Sequence, residues 1–114
     1  MVCKHVHKLG LFSWSVADLA MNDCGLEAWP ANLSGDSFPV LEGLDLMGND
    51  GLKEMPEGLA PFSCLTWLNV ASSDLSILPQ SLARVCPLLE WLDMSNCRSW
   101  VISEGVRDLK HLKV

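Results

Sequence analysis

Trp67 and Trp91 stand one place before a leucine in the fragments LTWLNVASS and LEWLDMSNC, 24 positions apart. Two positions after them come Asn69 and Asp93, and Asp45 holds the equivalent place in LEGLDLMGN. Tryptophan is among the side chains most enriched where proteins bind one another, and carboxylates beside it suit a basic group. A guanidinium laid over an indole and paired with an aspartate would use both features. The expected partner-binding residues are therefore Trp67, Trp91, Asp45, Asn69 and Asp93. Asp18, Met47, Ser72 and Ser95 are expected as outer contributors, with Glu42 and Glu90 flanking the acidic column. The alternative is that the indoles pack on local side chains or lie beneath another part of the chain.

Other reactive residue types do not assemble into a mechanism. Cys3, His5 and His7 alternate in CKHVH, which places them on one face of an extended segment, yet a fourth zinc ligand is not evident. A loose terminus accounts for them more simply. His111 lies at the other end of the sequence from the remaining histidines. Asp45 and Asp93 fall two strands apart, roughly 9 to 10 Å, in an open polar setting that offers nothing to shift a proton affinity. There is no phosphate-cradling glycine loop, no GxSxG and no HExxH. No enzymatic activity, cofactor or metal is expected. NLS at Asn32–Ser34 fits the glycosylation rule, which matches often by accident.

The bulk numbers narrow the class. The chain has 114 residues, 49% of them hydrophobic and 19% charged, which suits one folded domain. A formal net charge of −6 argues against nucleic-acid binding and leaves a protein or peptide with basic character as the natural partner. No apolar run approaches the ~20 residues of a membrane span. The opening MVCKHVHKLGLFSWSVADLA has basic residues before an apolar run, but Ser13, Ser15 and Asp18 interrupt it, which argues against a signal peptide. Five cysteines, an odd number without a close CxxC pair, predict reduced thiols and a cytoplasmic protein. Cys64 and Cys86, just before strands, are expected as buried small hydrophobes.

The elements that must position the indoles follow from an internal repeat. Leu41, Leu44, Leu46, Asn49, Leu52, Met55, Pro56 and Leu59 recur 23 to 24 residues on as Leu65, Leu68, Val70, Ser73, Leu75, Leu78, Pro79 and Leu82. One unit further come Leu89, Leu92, Met94 and Cys97, followed less cleanly by Ile102 and Val106. One unit back are Val16, Leu19, Met21, Cys24, Leu26, Trp29, Pro30 and Leu33. The pattern resembles the leucine-rich repeat family, LxxLxLxx(N/C)xLxxLPxxL, and is most similar to its intracellular scaffold and signalling members.

The resemblance implies an α/β fold, a solenoid of four to five repeats. Short parallel strands would line its concave face, with loops and short helical turns on the convex face. Residues 1–15 would form a flank or makeshift cap. Residues 16–114 would form units starting near 16, 41, 65 and 89, with a partial unit from 112. The chain departs from the family pattern in three places: an extra residue in NDGL (Asn49–Leu52), an insertion around SGDS, and Ile102 and Ser103 where a proline belongs.

DLKHLKV (Asp108–Val114) reads as the close of one unit and the start of another, with Leu109 and Leu112 in register, so continuation of the array is expected ahead of cover by a partner or a second copy. Function then falls into three readings. The first is a protein-interaction module using the concave face. The second is a structural element that self-associates through its uncapped end, and the third is a fragment of an extracellular receptor or effector.

Overall fold

The computed structural model describes residues 15–56, 58–75 and 82–97. Four three-residue strands follow one another: β1 (Asp18–Ala20), β2 (Gly43–Asp45), β3 (Trp67–Asn69) and β4 (Trp91–Asp93). A four-residue helix, α1 (Leu82–Val85), lies between β3 and β4. The strands make one parallel sheet in the order β1-β2-β3-β4. Asp18, Gly43, Trp67 and Trp91 form one cross-strand row. Leu19, Leu44, Leu68 and Leu92 form the next, and Ala20, Asp45, Asn69 and Asp93 the third. These are the rows that the repeat predicts.

Side chains alternate across a strand, so a leucine in the middle of each strand sends one continuous row inward. Leu44 is 0% exposed and Leu68 1%. Leu41, Leu65 and Leu89 ahead of the strands, and Met21, Leu46 and Val70 behind them, join the same core. On the return path Leu26, Trp29, Leu33, Leu52, Met55, Leu75 and Leu82 are also buried. Trp29, in the place before the proline, donates its indole N–H to the carbonyl of Leu33 at 2.7 Å.

One core column escapes the repeat formula. Phe38, Phe62 and Cys86 each stand three residues before a unit's first leucine and are buried. Their carbonyls accept the N–H groups of Leu41, Leu65 and Leu89 at 3.3, 3.5 and 3.2 Å. A tight turn thus feeds every one of these strands, with its first residue in the core. Burial pushes the Cys86 thiol up to about 12. Cys64, expected beside it as a buried hydrophobe, is instead partly exposed, because it lies two places past this column's Phe62.

The chain leaves the strands through a second conserved geometry. Asp23, Ser72 and Asn96 have φ of 53°, 54° and 56°, and Gly48 has 77°. Asp and Asn tolerate this left-handed region better than most residues, and glycine accepts it freely. The next residue closes the turn. Asn49, wholly buried, accepts the N–H groups of Cys24 and Leu26 on Oδ1 and donates from Nδ2 to the carbonyls of Met21 and Leu46. Ser73 does part of the same work, donating to Val70 and accepting from Leu75. The small polar residue expected at the turn is therefore the one that satisfies otherwise unpaired backbone.

On the return path the expected helical turn forms only at α1 among the described residues. LARV contains good helix formers, and the Cys86 N–H donates to Leu82 at 2.7 Å. The other two return segments carry Gly35, or Gly58 and Pro61, and remain turns and bends. The extra residue in NDGL is Gly51. A side-chain carbon there would come within 3.0 Å of the Leu26 carbonyl oxygen and 3.1 Å of the Glu27 Cα, so the excursion fits because glycine makes it. No helix among the described residues is long and apolar enough to cross a membrane. Cys3, His5, His7, the flank up to residue 14, Leu78, Pro79, Ile102, Ser103, Val106, Leu109, His111 and Leu112 lie outside the described residues.

Candidate functional site

The first and third rows point away from the leucine core, and there the units differ. In the first row the occupants are Asp18, Gly43, Trp67 and Trp91. Trp67 and Trp91 pair directly across β3 and β4. Their rings are parallel to within 3° with centroids 4.9 Å apart. Adjacent strands lie ~4.8 Å apart, so the spacing of the indoles is that of the ladder beneath them. Trp91 remains 39% exposed, and Trp67 is partly buried by its neighbour. Neither ring enters the core.

The third row performs a task that the sequence reading did not assign. Oδ1 of Asp45 accepts the N–H of Met47 at 3.0 Å. Oδ1 of Asn69 accepts that of Ala71 at 3.0 Å, and Oδ1 of Asp93 accepts that of Ser95 at 2.8 Å. Ser95 Oγ also donates to Asp93 Oδ1, at 2.6 Å. Each side chain thereby caps the turn that follows its strand, a local bond that Asp and Asn make readily. The signal was in the sequence, as Asp, Asn and Asp at fixed offset before a turn.

Asn69 differs from the two acids in its row. It is only 7% exposed, and its Oδ1 is held in the turn, so the polar column has a gap between its two acids. Asp45 and Asp93 are partly exposed, and each carboxylate has a second oxygen to offer. Of the outer contributors, Asp18 and Ser95 are exposed and Met47 is 37% exposed. Ser72 is partly buried in the left-handed turn, and its N–H is committed to the Ser95 carbonyl at 2.8 Å.

The charges are one-sided. Glu42 and Glu90 stand at the entrances of β2 and β4, beside Asp18, Asp45 and Asp93 in the rows. The basic residues of the described part are Lys53 and Arg84, and neither is on a strand. Arg84 lies in α1, where its guanidinium donates to the Leu59 carbonyl at 3.2 Å. Among the described residues no group of three metal-ligating side chains is present.

One thiol expectation is overturned. Cys24 is disulfide-bonded, and Cys64, Cys86 and Cys97 are free. Chain-wide reduction, inferred from an odd cysteine count, does not hold at this turn.

No protein-family model matches the chain, and no curated protein matches it. Among solved structures, it is similar to a leucine-rich repeat protein of Leptospira interrogans, with a TM-score of 0.63 and 19% sequence identity. The match covers 98% of this chain and 33% of that one, so the chain spans about a third of the relative's length. At this identity the likeness speaks for the fold: a leucine-rich-repeat-like parallel sheet with little helix.

Proposed function

We propose that the chain is a segment of a leucine-rich repeat solenoid that binds a protein or peptide on its concave, strand-lined face. The observation that carries this reading is the indole pair. Two parallel tryptophans stand outside the core, one of them 39% exposed, on a face whose only charged side chains among the described residues are acidic. Exposed tryptophan is rare without a use, and desolvated tryptophan with a surrounding polar rim is the usual anatomy of a binding hot spot. Trp67 and Trp91 are the anchor, Asp45 and Asp93 the acidic flank, and Asp18, Met47 and Ser95 the periphery. Asn69 and Ser72 support the turns.

The test is selection of peptides from a random library on the wild-type chain, followed by the Trp67→Ala/Trp91→Ala double variant. The selected peptides should lose at least about tenfold in affinity, the size of a modest hot spot, while the melting temperature changes little. Collapse of the fold in the double variant would mean that the rings are structural. The bonded Cys24 favours the extracellular-fragment reading over the cytoplasmic one, since disulfides persist in oxidising compartments. Counting free thiols in natively expressed protein decides between them.

A further inference from the structure

The outward row contains a glycine where its neighbours carry large or charged groups. Gly43 pairs with Asp18 on one side and Trp67 on the other, in the middle of regular parallel pairing. Its φ is not among the left-handed values, so the backbone conformation does not call for glycine there. What the missing side chain leaves is room for the Asp18 carboxylate to lean in over the buried Gly43 backbone. A recess of about 260 Å³ opens at this point, lined by Asp18, Leu19, Ala20, Gly43, Asp45 and Trp67. A carbon attached to Gly43 would lie 2.7 Å from Asp18 Oδ1, which would have to move aside, and 3.7 Å from Trp67 Cε3, so the carboxylate and the indole bound the recess from opposite sides.

We propose that this recess is the specificity pocket of the binding face and that it takes the guanidinium of an arginine from the partner. The assignment rests on the reading of the face as a peptide-binding surface. Trp91 covers one side of the Trp67 ring, and the other neighbour in the row is the gap over Gly43. A planar cation entering there lies against the uncovered indole and meets two acids, Asp18 and Asp45. Stacking on an aromatic face and donating in a planar fork to carboxylates is what distinguishes guanidinium from ammonium. Charge complementarity points the same way. From Ser15 to Leu52 the chain has no lysine, arginine or histidine, so nothing of its own on β1 or β2 competes for the acids.

The probes are N-acetyl-arginine methylamide and its lysine counterpart, followed by the indole N–H resonances of the folded chain. The arginine compound is expected to shift the Trp67 signal and to bind at least about threefold more tightly than the lysine compound. Gly43→Val fills the gap, and the atom it displaces is the movable end of Asp18 rather than backbone. Asp18→Asn keeps the shape and removes the charge. Each variant should weaken the arginine probe at least about fivefold, with the stacked-indole circular-dichroism couplet retained as proof that the shelf is intact. Equal binding of the two probes, or arginine binding that ignores both variants, overturns the proposal. Library peptides that need Trp67 and Trp91 yet lack arginine and tolerate Gly43→Val also overturn it, and leave the binding face standing. A library that yields no binder removes both.

Discussion

The inward and outward rows of the same four strands obey different rules. Facing in, the row reads Leu19, Leu44, Leu68 and Leu92, four copies of one residue. Facing out, one position earlier, it reads Asp18, Gly43, Trp67 and Trp91, with no two neighbours alike until the indoles. The inward row is constrained because each leucine must fill the space left by the unit on either side. The middle two, Leu44 and Leu68, are fully buried, while Leu19 and Leu92 in the first and last described strands are only partly so. Position in the stack, rather than residue type, sets the burial. The outward row carries no such demand, and its variation is where recognition can reside.

Mutations can break that contrast. The largest loss is expected at Asn49→Ala, which strands two buried N–H groups and two carbonyls. At ~1–3 kcal/mol for each unsatisfied group, the variant should lose more than about 3 kcal/mol and be largely unfolded by circular dichroism at 37 °C. Leu44→Ala should cost about 3 kcal/mol in chemical denaturation and Leu92→Ala about 1–2, the same substitution in the same row separated by burial alone. Equal costs would mean that stacking does not govern the core. Trp91→Ala on the outward row should change stability by under about 1 kcal/mol while abolishing the stacked-indole couplet.

The smallest effects concern the thiols. Without reductant the denatured chain should show reactive thiols at Cys64, Cys86 and Cys97, the free cysteines among the described residues, and the Cys24 thiol only after reduction. In the folded protein Cys86 should resist a thiol reagent at neutral pH. Its unfolded form ionises near 9.0, whereas the folded thiol stays neutral to about 12. Stability tied to the neutral thiol is therefore complete below pH 9 and lost as pH rises through that window.

Much of this was legible in the residues. The recurrence at 24 to 25 residues predicted all three cross-strand rows, because corresponding positions of successive units pair in register. It also placed Trp67 beside Trp91. What the repeat did not reveal depended on local bonds. Asn69 reads as a surface residue by its type, and only the N–H of Ala71 two residues on explains its burial. The Phe38, Phe62 and Cys86 column was hidden because a sulfur replaces an aromatic ring in its third member. The gap over Gly43 was invisible for a simpler reason: a pattern records what occupies a position, and here the consequence lies in what is missing.

Differences in unit length are taken up away from the strands, at Gly51 and around the SGDS segment, and the ladder does not register them. A whole unit spliced between β2 and β3 would therefore slide Trp67 one rung away from Asp18 while the interior closed as before. An engineer could lengthen or shorten the distance between an aromatic contact and an acidic one in steps of a single rung, using the far loops as the tolerant hinge points.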